Sequence, residues 1–163
     1  MKAKVYIHSF HLNEAAMDIT DAKLRKEIGR NCACFNLRRA ARLVTQLFDR
    51  HLRELGLKST QFSVLMVAYH YEGMLLTQIA SILGMERTTL TRNLAVLEQM
   101  ELITLEQGED RRERRVNVTP QGVEILSRSL PLWEKAQAEV VEAVGPGNWE
   151  GLLSGLHTVA KKL

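Results

Sequence analysis

The 163-residue sequence has only two cysteines, three prolines and 6% aromatic residues. Cys32 and Cys34 cannot build the disulfide framework of a small secreted protein, which favours a reducing, cytoplasmic setting. The longest apolar runs, such as residues 64–69, are far below the ~20 residues that a membrane-spanning helix needs. The first ten residues have no long apolar block, so we expect no signal peptide. These absences exclude a disulfide-rich scaffold and a membrane protein.

The remaining composition is that of an ordinary globular chain, with 45% hydrophobic and 25% charged residues. Its net charge of +3 permits a nucleic-acid partner but does not require one. The positive excess lies in residues 1–58, which have twelve basic and six acidic residues. Residues 59–119 have six basic residues, all arginines, against eight acidic ones. Any DNA binding by this middle segment must therefore depend on where the arginines lie.

Hydrophobic periodicity predicts a mainly α-helical fold with one β-hairpin. Apolar residues recur at spacings of three and four over most of the chain from residue 31, as in amphipathic helices. The expected N-caps are Asn13 or Asp21, Ser59, Thr77, Thr119 and Asn148, and further helices should start near Asn31 and Arg87. We expect helix ends at Gly56 and Gly84 and a kink at Pro131. Residues 103–105 and 116–118 alternate apolar with polar side chains, which predicts two strands joined by a charged loop.

The order helix, turn, helix, hairpin in residues 77–118 is typical of a winged helix-turn-helix. The second helix of such a unit enters the major groove with its N-terminal residues against base edges. Arginine can pair with guanine, asparagine with adenine, and threonine methyls with thymine methyls. The predicted DNA contacts on this helix are Arg87, Thr88, Thr89, Thr91, Arg92 and Asn93. The loop adds Asp110, Arg111 and Arg112, since an arginine there can reach a phosphate or a narrow minor groove.

These motifs resemble the MarR family of bacterial winged-helix regulators. The resemblance rests on residues 79–84, 87–92 and 97–98, on Leu102-Ile103 and Asp110-Arg111-Arg112, and on residues 118–122. It implies a homodimer, with Arg112 at the wing tip and Asp110 as its partner. Glu86 departs from the family pattern, which has a short capping residue there. Glutamate is a poorer N-cap, and its carboxylate lies near the expected groove.

The resemblance and the helical pattern together suggest four segments. Residues 1–30 are an N-terminal extension, residues 31–58 a dimerisation helix, residues 59–119 the winged DNA-binding lobe, and residues 120–163 the C-terminal dimerisation helices. The terminal helices have more apolar surface than one small domain requires, which independently favours a dimer. A two-fold dimer would present the second helix of each helix-turn-helix to a pseudo-palindromic double-stranded operator. We expect such a protein to be a repressor.

Two interpretations of Cys34 remain open. It lies on the apolar face of the helix expected from Asn31, so it can be a buried, inert cysteine. Alternatively it senses oxidants, because a helix N-terminus and Arg38 favour the reactive thiolate. The surrounding segment also looks like that of the organic-hydroperoxide sensors of the family, although Arg38 and Phe48 occupy places where those sensors have tyrosines.

A small aromatic ligand is a further expected partner, in a pocket between the dimer helices and the winged lobe. The candidate lining residues are Phe48, His51, Tyr69 and His70, each of which could equally be ordinary core or surface. No catalytic or phosphate-binding motif is readable, so we expect neither an enzyme nor a cofactor. His8 and His11 could share a helical face, but isolated histidines rarely make a metal site. The alternative to DNA binding is a winged-helix module for protein interaction.

Overall fold

The computed structural model describes residues 20–108, 110 and 113–163 and is mostly helical. The helices are α1 (Ala22–Asn31), α2 (Ala33–Leu52), α3 (Ser59–His70), α4 (Leu76–Leu83), α5 (Arg87–Gln99), α6 (Pro120–Val144) and α7 (Pro146–Lys162). The strands are β1 (Ile103–Gln107) and β2 (Arg114–Val118), an antiparallel pair. This architecture confirms the predicted fold class, helical with a small hairpin. None of the described helices is long and apolar enough to cross a membrane.

The chain divides into two compact units, residues 1–41 and 42–163. In the described part of the first unit, Asp21 caps α1 by accepting a hydrogen bond from the Lys23 amide at 2.8 Å. Of the two expected helix starts, the Asp21 one is confirmed, while Asn13 lies outside the described residues. The Cys32 thiol accepts a hydrogen bond from the Phe35 amide at 3.4 Å. Because α1 ends just before Cys32, the helix expected from Asn31 begins at Ala33 instead.

The second unit is built on one hydrophobic core. Leu90, Leu94 and Leu97 of α5 are at most 1% exposed, as the predicted apolar stripe requires. They pack in a buried cluster that includes Leu65 of α3 and Ile79 of α4. Burial of each such side chain contributes about 1.5–3 kcal/mol, so the stripe fixes which face of α5 turns outward.

The hairpin has a regular antiparallel register and is attached to the helices by backbone contacts. Ile103 lies opposite Val118, and Gln107 lies opposite Arg114. A bridge between Leu75 and Arg115, and a bond from the Val116 amide to the Met74 carbonyl at 3.1 Å, attach the segment before α4 to β2. The predicted strands are therefore confirmed, with α4 secured beside them.

Three predicted N-caps, Ser59, Thr77 and Asn148, were wrong by one to three residues. Helix α3 begins at Ser59 itself, after Lys58, because the Gln61 side chain accepts from the Lys58 amide at 2.8 Å. Gln78 caps the Leu75 amide in the same way at 3.1 Å, which places Thr77 inside α4. In both helices a glutamine at the third helical position accepts from the amide of the cap residue, which is one half of a capping box.

Helix α7 is the third case, because it begins at Pro146 and not after Asn148. A proline is favoured in the first turn, where its missing amide hydrogen is not needed. Thr119 caps α6 as predicted, since its hydroxyl accepts from the Gly122 amide at 3.0 Å. Helix α6 then continues through Pro131 to Val144.

Candidate nucleic-acid interface

Helices α4 and α5 form the helix-turn-helix. Helix α4 ends at Gly84, whose φ of 59° is the left-handed conformation that glycine adopts without strain. The Met85 amide then donates to the Ala80 carbonyl at 2.9 Å, which closes the turn. Helix α5 starts two residues later, at Arg87. The predicted end at Gly84 is confirmed, and the short turn leaves the N-terminus of α5 accessible.

The outward face of α5 is small, polar and positively charged. Thr88, Thr91 and Arg92 lie at helical spacings of three and four residues and are all exposed. Ala95, one turn further on, is also exposed and adds little bulk. Glu98 lies towards the other end of the helix. A flat basic face of this kind can approach a major groove closely.

Other predicted contacts on α5 lie around this face. Arg87 and Thr89 are exposed, in the first turn of the helix. The Thr91 hydroxyl donates to the Arg87 carbonyl at 2.8 Å, so it is engaged within the helix. Glu86 is the N-cap and makes no side-chain capping bond. The sequence-based view that Glu86 caps the helix poorly agrees with this arrangement.

Asn93 has a different position from the one predicted. It is half-buried, and its side-chain oxygen accepts a hydrogen bond from the Thr60 hydroxyl of α3 at 3.4 Å. Its amide nitrogen donates to the Thr89 carbonyl at 2.9 Å. Both ends of the side chain therefore have partners within the protein, which argues against the predicted base contact by Asn93. Thr60 itself was not identified from the sequence, where no periodic signal marks it.

The wing is the loop between β1 and β2. The Gly108 amide donates to the Glu113 carbonyl at 3.1 Å, and the Glu113 amide donates to the Asp110 carbonyl at 2.9 Å. Asp110 is exposed, whereas the predicted contacts Arg111 and Arg112 lie outside the described residues. Arg115, one pair from the loop end of the hairpin, donates to the Gly73 carbonyl at 3.0 Å and so attaches β2 to the segment before α4.

A cleft of about 330 Å³ lies in the second unit, against the helix-turn-helix. Helices α2, α3 and α6 contribute to it, together with the end of α4 and the turn that follows. Its lining residues are Val44, Thr45, Phe48, Ser59, Thr60, Phe62, Ser63, Leu83, Met85 and Trp133. Apolar walls and four hydroxyl groups make it suitable for a small ligand.

Of the four predicted pocket residues, only Phe48 lines this cleft. His51 instead contacts Glu139 of α6, with 2.8 Å between Nε2 and Oε1. Tyr69 and His70 are exposed at the end of α3. The apolar faces indicated roughly where a pocket would lie, but only the packing of α6 brings Trp133 beside Phe48.

The remaining candidate sites are the two cysteines and the two N-terminal histidines. Cys34 is exposed in the single chain, Cys32 is half-buried, and neither forms a disulfide. His8 and His11 lie outside the described residues. Among the residues that the structure describes, no group of three histidine, cysteine or acidic side chains could hold a metal ion.

Comparison with known proteins identifies the family. The family model of MarR matches residues 57–113, which include the helix-turn-helix and most of the wing. The Mycobacterium tuberculosis transcriptional regulator MosR is 37% identical, with a TM-score of 0.72 over 83% of this chain and 99% of that one. The chain belongs to the MarR family.

Other structures extend the MarR likeness. MosR in complex with DNA is 40% identical, with a TM-score of 0.68 over 81% of this chain and 99% of that one. The transcriptional repressor CouR, bound to a 23-mer DNA duplex, is 28% identical, with a TM-score of 0.72 over 88% and 99% of the two chains. CouR is also known bound to p-coumaroyl-CoA.

A curated relative supports the same MarR assignment over a shorter span. YwoH of Bacillus subtilis, an uncharacterised HTH-type transcriptional regulator, is 35% identical over 83 residues, which is 51% of this chain. The match spans 61% of the length of YwoH. The predicted family and winged-helix fold are therefore confirmed, and these relatives are transcriptional regulators.

Proposed function

We propose that this protein is a DNA-binding transcriptional regulator, a repressor, that acts as a homodimer on a pseudo-palindromic double-stranded operator. The observation that carries this proposal is the outward face of α5, where Thr88, Thr91 and Arg92 are exposed above a fully buried leucine stripe. These side chains suit base edges in the major groove. MosR and CouR, with the same fold, have been crystallised with DNA.

The proposed DNA contacts fall into two classes. The first class lies on α5 and contacts base edges or positions the helix in the major groove; it comprises Arg87, Thr88, Thr89, Thr91 and Arg92. On the wing, Arg111 and Arg112 contact the backbone or minor groove, where a narrow groove attracts arginine, and Asp110 holds an arginine in position. Asn93 is left out of the contact set because both ends of its side chain are engaged.

The second copy of the chain would cover the apolar faces of the terminal helices. Phe35, Leu37 and Leu43 of α2 are exposed, and so are Leu152 and Leu156 of α7. No residue of α7 is buried in the single chain. Leucines at this spacing form a continuous apolar stripe, which is destabilising in water unless another surface covers it. In this proposal residues 31–58 and 120–163 make the dimer lobe and residues 59–119 the DNA-binding lobe, preceded by the extension 1–30.

The test of DNA binding uses salt and matched arginine variants. The wild-type protein should bind random duplex DNA at low salt, with an affinity that falls steeply as salt rises. Arg92→Ala and Arg112→Ala should each weaken binding by about tenfold and reduce the salt dependence. Arg128→Ala is the control, because Arg128 is an exposed arginine of α6 outside the proposed contact set. If Arg92→Ala and Arg112→Ala both bind DNA as tightly as Arg128→Ala, a winged-helix module for protein interaction is favoured.

Release from DNA would follow binding of a small aromatic ligand in the 330 Å³ cleft, by a shift between dimer geometries. The lining has no charged side chain, and its polar groups are hydroxyls of Thr45, Ser59, Thr60 and Ser63. An uncharged, hydroxylated aromatic compound therefore fits best. With Trp149→Phe as background, phenol should quench the fluorescence of Trp133. Phe48→Ala should weaken that quenching, and an unaltered response would contradict ligand binding here.

Oxidation of Cys34 is the second proposed route of release. The thiol is exposed in the single chain and lies in the first turn of α2. Peroxide should then lower DNA affinity in the wild-type protein but not in Cys34→Ser. If peroxide leaves the wild-type affinity unchanged, Cys34 is not a sensor. A regulator of this kind acts in the cytoplasm and performs no catalysis of its own.

A further inference from the structure

The end of the recognition helix is bonded to the beginning of α6 through three consecutive carbonyl groups. The Gln121 amide donates to the Met100 carbonyl at 3.3 Å. The Thr119 hydroxyl donates to the Glu101 carbonyl at 2.7 Å, and the Thr119 backbone amide donates to the Leu102 carbonyl at 3.1 Å. We call residues 100–102 and 119–122 the α5–α6 clamp.

The α5 side of the clamp is itself rigid. Glu101 has a φ of 59°, the conformation that side-chain-bearing residues rarely adopt, and its amide donates to the Glu98 carbonyl at 2.9 Å. The Leu102 amide donates to the Leu97 carbonyl, also at 2.9 Å. Such strain persists only where the surroundings over-determine the backbone. The three carbonyls are therefore fixed relative to the axis of α5.

The α6 side is equally constrained. The Thr119 hydroxyl donates to Glu101 and also accepts from the Gly122 amide at 3.0 Å, so one group both caps α6 and joins it to the turn. A side chain at Gly122 would lie 2.2 Å from the Leu102 carbonyl oxygen, which means that the two backbones are in direct contact. A movement of the start of α6 relative to the end of α5 would break these hydrogen bonds.

We infer that the α5–α6 clamp sets the orientation of the recognition helix relative to the dimer helix, with Thr119 and Gln121 as positioning residues for operator spacing. This inference rests on the proposed function, since it concerns how a DNA-bound dimer holds its two recognition helices apart. Dimers of this type bind half-sites about one helical turn apart, so a fixed helix orientation selects one spacing. Neither positioning residue needs to touch DNA.

The test measures how strongly the dimer discriminates between spacings. One duplex is the palindromic site that the wild-type protein selects from random DNA, and the second has two base pairs inserted between its halves. The quantity compared is the ratio of the two affinities, measured by fluorescence anisotropy. Partial unfolding lowers both affinities equally, so a merely structural effect leaves this ratio unchanged.

Thr119→Val keeps the shape of the side chain but removes its hydroxyl, and it should lower the ratio by about tenfold. Thr119→Ser retains the hydroxyl and should behave as wild type. Gln121→Met removes one clamp bond from an exposed side chain and should lower the ratio by about threefold. Ser127→Ala is the control, since the Ser127 hydroxyl bonds only within α6, to the Val123 carbonyl.

An unchanged ratio in both Thr119→Val and Gln121→Met would overturn the inference while leaving DNA binding in place. A ratio that is lowered to the same extent in Ser127→Ala would also overturn the inference, because the effect would then belong to α6 in general. A wild-type protein that selects no duplex would contradict the proposed function, and with it this inference. A lowered ratio in Thr119→Val, restored in Thr119→Ser, supports the clamp.

Discussion

Arg92 and Asn93 are neighbours in sequence that have opposite roles in the structure. Arg92 is exposed, whereas Asn93 is half-buried and bonded to Thr60 and Thr89. Successive helical residues differ by about 100° in direction, and the step from Arg92 to Asn93 turns towards Thr60 of α3. Side-chain chemistry alone favoured both as base contacts.

Replacement of these two residues should therefore affect different quantities. Asn93→Ala should lower the free energy of unfolding by about 1 kcal/mol, because it removes two hydrogen bonds of a half-buried amide. Arg92→Ala should leave stability within about 0.5 kcal/mol while weakening DNA binding. Urea denaturation and anisotropy measure the two effects. The reverse pattern would mean that Asn93 turns outward to read DNA.

Gly122 is required for a different reason, the contact between two backbones. A Cβ there would lie 2.2 Å from the Leu102 carbonyl oxygen and 2.6 Å from Cγ1 of Val118. Gly122→Ala should therefore lower the free energy of unfolding by about 1–3 kcal/mol. Gly151→Ala is the matched control in α7, where nothing lies within 4 Å of the added carbon.

The control should stabilise the protein by about 0.5–1 kcal/mol, since alanine is the better helix former. Thermal unfolding of the two variants, followed by circular dichroism, gives the comparison. Similar melting temperatures for both would contradict the close approach of Gly122 to the hairpin.

Helix α5 begins with a weak cap. Glu86 makes no side-chain bond to the first turn, and it adds a carboxylate where DNA is proposed to bind. Helices α3 and α4 manage without a capping serine because a glutamine at their third position bonds back to the chain. Helix α5 has Thr89 at the corresponding place, too short for this reach.

Glu86→Ser should consequently stabilise the protein by about 1 kcal/mol and tighten DNA binding. Glu86→Gln separates the two causes, because it removes the charge without supplying a good cap. We expect Gln to improve affinity but not stability. Chemical denaturation and anisotropy provide the readouts, and a loss of affinity in Glu86→Ser would indicate that the carboxylate has a positive role.

At the scale of the whole molecule, the uncovered leucines of α7 require a partner surface. Leu152, Leu156 and Val159 are exposed on this helix in the single chain. An apolar stripe without any buried member is unusual for a stable monomer. The two-fold dimer is the simplest arrangement that covers both copies at once.

Leu156→Asp should therefore yield monomers at micromolar concentration and abolish high-affinity operator binding, since a charge would be buried without a partner. Thr158→Asp is the control, because it adds the same charge two residues away, on a different side of the helix. Light scattering measures the mass. A monomeric wild-type protein, or a dimeric Leu156→Asp, would contradict the proposed interface.

The order of the elements and the inner face of α5 can be read from the residue pattern alone. The leucines at 90, 94 and 97 have a helical period, and burial of that stripe decided the outward face of α5. Gly84 and Thr119 marked helix boundaries because each has a local conformational reason to be there. The motifs at 79–122 were enough to indicate the MarR family.

Which polar side chains are engaged, and which surfaces meet, depends on packing between elements. Asn93 is held by Thr60, 33 residues earlier in the chain, and Arg115 is held by the Gly73 carbonyl. The cleft beside Phe48 and the α5–α6 clamp likewise join residues that are distant in sequence. Periodicity records which side of an element is apolar, but a hydrogen bond between two elements leaves no periodic trace in either of them.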